Sequence, residues 1–251
     1  MKVVAVYAIK GGVGKTAVSV NLAHAAAAAG HETLLWDLDE QGGASLIVGR
    51  GAADAATKLR RSSRLAEHVA PSAWPGVSIV PSESLGHLLD RHDRTKRLRE
   101  LLDALDGFAR VIVDCPPTLG YVAQQIFELA DLIVVPIVPA SLSAAAHEQL
   151  RAHLAASSGR KPPLLPILSL VDRRRRAHRE AIEAEPGRIA IPYAVAMERM
   201  ADTHLPVALA APRSPAVAPL AALWEAVDSL LEDKPRRRPA PYQREAQTRT
   251  A

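Results

Sequence analysis

Residues 3–16 read VVAVYAIKGGVGKT. An apolar run long enough for a buried strand is followed at once by three glycines, a lysine and a threonine. The usual phosphate-loop pattern, G-x-x-x-x-G-K-[ST], asks for glycine five positions before Gly14, where this chain has Ile9. The end of the pattern, Gly14-Lys15-Thr16, is intact, and a second lysine, Lys10, stands where such a loop is normally small and neutral. Gly11, Gly12 and Gly14 allow the backbone to curl so that successive N–H groups face an anion. A helix beginning near Lys15 adds its positive end. Lys15 would neutralise the β- and γ-phosphates of a nucleotide, and the Thr16 hydroxyl would ligate Mg²⁺.

The rest of the chain has the organisation that such a loop requires. Short apolar runs without polar alternation recur at 3–9, 33–36, 77–80, 111–113, 132–138, 164–168 and 189–191. Helical patterns lie between them at 18–29, 95–105, 122–129, 142–156 and 215–231. Strands buried on both faces, interleaved with helices, predict an α/β fold: a doubly wound, mostly parallel sheet flanked by helices. The 251 residues suit one such domain over 1–232.

Charge divides unevenly. Residues 233–251, DKPRRRPAPYQREAQTRTA, hold six bases, two acids and three prolines, whereas 1–232 carry acids and bases in equal number. The basic excess therefore belongs to a tail without apolar periodicity, expected to be disordered. It does not make the folded body a nucleic-acid binder. One cysteine, Cys115, excludes an internal disulfide framework and fits a reducing cytosol. Met1-Lys2 runs straight into the first strand, so no leader is expected, and no apolar stretch reaches the roughly 18 residues of a membrane span. His147-Glu148 has no second histidine at zinc-site spacing, so no structural metal cluster is expected.

Two further stretches fall at predicted strand ends, where open α/β sheets bind ligands. One is LLWDLDEQGGAS (34–45); the other is RVIVDCPPTLG (110–120). In the second, apolar residues followed by Asp114 form a Walker B arrangement, with Asp114 reaching Mg²⁺ through water. Pro116 and Pro117 stiffen the following turn, and Gly120 offers a hinge for a segment that senses the γ-phosphate.

KGGVGKT resembles the deviant phosphate loop of the ParA/MinD ATPases, and closest are the Soj-like ParA partition ATPases. DLDEQG resembles the family's D-x-D-P-Q-G, and DCPP matches it closely. The resemblance covers nearly all of residues 1–232. It implies that Lys10 crosses a dimer interface to the partner's phosphates, so that ATP binding and dimerisation are one event. It implies a nucleotide-binding stretch of Lys10, Gly11, Gly12, Val13, Gly14, Lys15, Thr16 and Ala17, with Lys10, Lys15 and Asp39 catalytic. Asp39 would position and activate the attacking water, and Asp37 would support the Mg²⁺ region. Thr16, Asp39 and Asp114 are the candidate metal residues. Gln41 to Ala44, including Gly42, would form part of a switch with Pro116 and Pro117, although Glu40 replaces the family's proline. Val171 and Asp172 would approach the nucleotide base. The implied activity is slow, partner-stimulated hydrolysis of ATP with Mg²⁺.

Relatives couple this engine to different surfaces. An iron–sulfur cluster held by cysteines is excluded by the lone Cys115. A membrane-cycling role of the MinD kind fits poorly, because the last helical pattern, PAVAPLAALWEAVDSLLED, carries four acids and no base. Its Leu220, Leu223, Trp224, Val227, Leu230 and Leu231 suit core packing. Non-specific DNA is the favoured partner, through Arg173, Arg174, Arg175, Arg176 and Arg179, with Arg199 nearby. Glu180, Glu183 and Glu185 follow and offer these arginines internal partners. Many ParA proteins carry R-N-V-R-L-S-E-A-P-S after the last strand; here residues 192–206 read PYAVAMERMADTHLP, with Tyr193 and Ala196 replacing two bases. The expected whole is a cytoplasmic, nucleoid-associated homodimer that positions DNA or protein cargo with a ParB-like or cargo-adaptor partner. Membrane cycling of the MinD kind and action through protein partners alone are the alternatives. No N-terminal DNA-reading extension precedes the first strand, so operator control is not expected.

Overall fold

The computed structural model describes residues 1–49, 64–84 and 98–232. In chain order the elements are β1 (Lys2–Val6), α1 (Lys15–Ala28), β2 (Thr33–Asp37), α2 (Gly43–Val48), β3 (Ala70–Pro71), β4 (Val77–Val80), α3 (Leu98–Asp103), β5 (Arg110–Asp114), α4 (Tyr121–Leu129), β6 (Leu132–Ile137), α5 (Ser141–Ala156), β7 (Leu164–Val171), α6 (Arg176–Ala184), β8 (Ala190–Pro192), α7 (Val195–Glu198), α8 (Met200–Thr203), α9 (Val207–Ala210) and α10 (Val217–Glu232). Eight strands form one sheet in the order β3-β4-β2-β5-β1-β6-β7-β8. Every pairing is parallel except β3 with β4. The predicted doubly wound sheet is therefore present, with β1 at its centre between β5 and β6.

The apolar runs lack polar alternation because both faces of the sheet are covered. Val4 and Val6 of β1 pack with α1, α2 and α10 on one face. Val3, Ala5 and Tyr7 pack with α3, α4 and α5 on the other. The alanines of α1 keep that helix slender where it lies against the sheet and α10. In α10 the predicted stripe is buried at Leu220, Leu223, Trp224, Val227 and Leu231, which uses its apolar face for the core. Leu230 departs from the prediction and is exposed, one residue off the inward stripe of a 3.6-residue period.

Several boundaries differ from the sequence reading. β1 ends at Val6, well short of Ile9, because the chain leaves the ladder after Tyr7 N–H reaches Val134 O at 3.0 Å. α1 begins at Lys15, where the phosphate-loop reading expected it and three residues before the apolar pattern of 18–29, since Gly14 caps it in a left-handed conformation. β7 runs past Leu168 to Val171, with an irregular register against β8 and Leu170 at φ 53°. The two-residue antiparallel edge strand β3 is too short to leave a pattern. Residues 95–97 of the expected fourth-strand-to-fifth-strand helix and the tail 233–251 lie outside the described residues.

Candidate functional site

The three motifs meet at the C-terminal edge of the central strands. Residues 10–14 leave β1 and turn into α1, and Gly12 and Gly14 adopt φ values of 71° and 85°. Gly14 is also crowded: an added Cβ would stand 3.0 Å from Ser169 Oγ at the end of β7. A side chain there would oppose both the backbone angle and β7, so glycine is required. Gly11 and Gly12 are exposed, and among the described residues a Cβ added at either would meet nothing within 4 Å, so this side of the loop is open. Val13 is buried, anchoring the loop to the core, and Lys15 is buried at 6% exposure.

Beneath the loop lies a pair of carboxylates. Asp37 ends β2 and Asp114 ends β5, and the two are direct register partners, each fully buried. Asp37 is satisfied internally: Oδ2 accepts from Ser45 N–H at 2.8 Å and Ser45 O–H at 2.7 Å, and Oδ1 from Asp39 N–H at 3.1 Å. Asp114 is satisfied on one side only. Its Oδ1 accepts from Ser19 O–H at 3.0 Å, while among the described residues Oδ2 is buried without a partner. Burial, and then the charge of Asp37, push the Asp114 carboxyl up to about 7 against the pull of the Thr16 and Ser19 hydroxyls and the Lys15 ammonium. Burial likewise raises Asp37. An orphaned carboxylate oxygen beside a hydroxyl offers oxygen ligands suited to a hard divalent cation, and the buried Lys15 ammonium near them suits the anionic oxygens of a phosphate. The residues present therefore fit Mg²⁺.

The predicted site residues separate into groups. Thr16, Lys15 and Asp114 are brought together, with Asp37 next to them. Asp39 stands outside this set: it is half-buried, its Oδ1 accepts from Gln41 N–H at 3.1 Å, and its carbonyl accepts from Gly42 N–H at 2.9 Å. It thus shapes the turn that starts α2. Gly43 opens that helix so close to Thr16 that an added Cβ would meet Thr16 Cγ2 at 3.1 Å. The predicted switch is accordingly in contact with the candidate metal residue. Ala17 is half-buried in the first turn of α1. Pro116 and Pro117 are half-buried between Asp114 and α4. Lys10 extends away from the loop, its Nζ 3.5 Å from Ser143 Oγ of α5. It lines a cavity there with Val13, Pro136 and His147.

Sequence reasoning missed Ser19, Ser45 and Ser169. Ser19 had a signal, lying four residues after Lys15 and so on the same helix face. Ser45 and Ser169 gave none, because their roles depend on the contacts between α2, β7 and the loop.

The arginine cluster is partly self-satisfied. Arg174 forms a fork with Asp172, at 2.9 Å to each oxygen, and holds that carboxyl down to about 2. Arg176 pairs with Glu180 at 2.6 Å. Arg179 donates to the carbonyls of Arg173 and Arg174. Among the described residues, the exposed guanidinium groups of Arg173 and Arg175 have no partner. The loop that carries them is held by buried His178, whose Nδ1 accepts from Asp172 N–H at 3.0 Å. Val171 is buried, and Asp172 is engaged by Arg174. Arg199 lies between α7 and α8, exposed, and shares no ion pair with the cluster. Among the described residues no helix is long and apolar enough to cross a membrane.

Comparison with known proteins bears on the family and the fold. The AAA domain family matches residues 1–160. The chromosome partitioning protein ParA of Caulobacter vibrioides is 30% identical over 149 residues, covering 55% of this chain and 56% of that protein. The maintenance of carboxysome distribution protein A of Gloeobacter kilaueensis is 37% identical over 145 residues, covering 57% and 52%. The chain thus spans little more than half the length of these curated relatives. Among solved structures, the septum site-determining protein MinD of Pyrococcus horikoshii, complexed with Mg-ADP, shares the fold. It has a TM-score of 0.72 and 20% identity, covering 91% of this chain and 96% of that one. Cobyrinic acid a,c-diamide synthase of Mycobacterium smegmatis, with bound ADP and magnesium, gives a TM-score of 0.63 at 26% identity, covering 85% and 97%. With more than half its length matched, the chain belongs to the AAA domain family and, within it, to the ParA/MinD group of P-loop ATPases.

Proposed function

We propose that this chain is an ATP-driven positioning ATPase of the ParA type: it binds Mg–ATP, dimerises around it and hydrolyses it slowly. The observation that carries this reading is the half-satisfied Asp114 carboxylate next to Thr16 and buried Lys15, under an open-faced glycine loop. In it, the N–H groups of residues 11–16 donate to the phosphate oxygens, and the buried Lys15 ammonium offsets their charge. Thr16 and Asp114 would hold Mg²⁺, which when bound would neutralise charge developing on the transferred phosphoryl group. Asp39 orients the attacking water from the turn that Asp37 and Ser45 fix. Lys10, already directed out of its own loop, serves the phosphates of a second copy. The ParA protein of Caulobacter and the MinD structure are relatives of this design.

For the ATP-bound dimer the favoured partner is non-specific DNA, contacted through Arg173 and Arg175, with a second protein stimulating hydrolysis and release. Dimerisation doubles the two free guanidinium groups into four, and phosphate contacts need only exposed positive charge. A second reading, action through protein contacts alone, is favoured by Tyr193 and Val195, which are 46% and 60% exposed on the surface following β8. A mobility shift on a non-specific duplex, run with ATP, with ADP and without nucleotide, separates the two. A shift with ATP alone that is lost on Arg173→Ala/Arg175→Ala supports DNA. Absence of any shift at low salt, where phosphate contacts are strongest, leaves the protein-contact reading.

A further inference from the structure

We propose that Tyr7 is a positioning residue: its hydroxyl ties the loop after Asp114 to the strand that launches the phosphate loop. The inference rests on the nucleotide-site reading above for its kinetic consequence, but not for its structural one.

Tyr7 is fully buried and lies on the same face of the sheet as Val3 and Ala5. Its ring meets Phe127 of α4 edge-on, with centroids 5.0 Å apart and planes at 82°, and its N–H donates to Val134 O at 3.0 Å. A phenylalanine would fill this place equally well. A buried phenol is costly without a hydrogen-bond partner, and here the hydroxyl donates to the Thr118 carbonyl at 2.7 Å. Burial raises the hydroxyl far above the ordinary tyrosine range, so it remains a donor at all working pH values.

The acceptor is well placed to matter. Pro116 and Pro117 have no N–H to donate. Among the described residues, no other hydrogen bond reaches the backbone of residues 116–119. Thr118 itself is exposed, so its side chain does not hold the loop through burial. The Tyr7 hydroxyl is therefore the hydrogen bond that holds this loop between Asp114 and α4, beside the packing of Leu119 on the core. Tyr7 lies three residues before Lys10, and Thr118 four residues after Asp114. The bond thus joins the phosphate-binding and cation-binding arms at a point that touches neither nucleotide nor metal.

The test compares full-length wild type with Tyr7→Phe, which keeps the ring, and with Phe127→Leu, which keeps the hydroxyl but loses the ring edge. Amide exchange of residues 124–126, the first hydrogen-bonded amides of α4, is measured without nucleotide, and Mg–ATP affinity and turnover are measured separately. In Tyr7→Phe, exchange should accelerate about fivefold, the change expected for one net neutral hydrogen bond. Mg–ATP affinity should stay within about twofold, and kcat should fall by a similar fivefold. Phe127→Leu should lower Tm without that separation of affinity from kcat. Unchanged exchange in Tyr7→Phe would overturn the proposal, as would the same kinetic pattern in Phe127→Leu. Wild type that fails to bind Mg–ATP would overturn the nucleotide reading, while the exchange result would still decide the tie.

Discussion

Two charged loops at the same edge of the sheet are built on opposite plans. Around residues 10–17 polar atoms are left unsatisfied in the interior: among the described residues Asp114 Oδ2 and, from β7, Ser169 Oγ are buried without partners. Residues 172–179 pair much of the charge they carry, Arg174 through Asp172 and Arg176 through Glu180, and among the described residues leave only the neutral-ring atom His178 Nε2 buried without a partner. An unsatisfied buried group has a standing cost that a ligand can remove, so it points to a ligand. A charge run that pairs with itself points only weakly to one, and what remains of it is Arg173 and Arg175. The nucleotide site is thus argued from deficits, and the DNA surface from a remainder.

The comparison can be broken most severely at Asp39. Asp39→Ala should slow hydrolysis by roughly 10²–10⁴-fold, the usual range for a lost water-activating group. Mg–ATP should still bind, and the dimer should persist in size-exclusion chromatography with ATP. Wild-type turnover in a steady-state phosphate-release assay would remove Asp39 from the reaction.

Asp114→Asn tests whether the deficit is real. The folded protein holds the Asp114 proton up to about pH 7, above the ordinary value of 3.8. The raised pKa means that the folded state binds the proton more tightly than the unfolded state. This group's contribution is therefore most favourable below about pH 4, declines as pH rises towards 7, and is a full penalty above that. Without Mg²⁺, Asp114→Asn should be more stable than wild type at pH 8, by on the order of 2 kcal/mol or roughly 5 °C in Tm. That advantage should fade towards pH 4. A variant less stable at pH 8 would mean that the carboxylate is satisfied in solution.

The arginine loop offers the smaller effects. Arg173→Ala/Arg175→Ala should weaken ATP-dependent DNA binding about tenfold and reduce the salt slope by roughly two per subunit. Arg174→Ala/Arg176→Ala should change affinity by less than about twofold, because those guanidinium groups are already engaged. Equal losses in the two pairs would show that the loop rearranges on DNA and that its internal ion pairs are dispensable, as exposed pairs often are.

What could be read from the sequence follows from which interactions are local. The strand, glycine loop and helix of residues 3–28 are contiguous, so VVAVYAIKGGVGKT specified both the element and its chemistry. The end of β5 was equally plain, since Asp114 follows its apolar run directly. Ser45 was invisible because its bonds to Asp37 depend on how α2 folds back on β2. Ser169 was invisible because its approach to Gly14 crosses from β7 to β1. Lys10 could be read as leaving the loop, but its rest on Ser143 of α5 is a tertiary matter. The arginines were over-read for the same reason: sequence counts charges, whereas the Asp172 fork requires a turn that only the fold supplies.

The most direct test of the central claim is a calorimetric titration of ATP, with Mg²⁺ and with EDTA, into wild type and Lys15→Gln. The account predicts saturable binding in wild type that weakens when Mg²⁺ is removed. It also predicts a loss of about 100-fold or more in Lys15→Gln, since a buried charge-assisted contact disappears. Undiminished binding in Lys15→Gln, or no dependence on Mg²⁺, would contradict it.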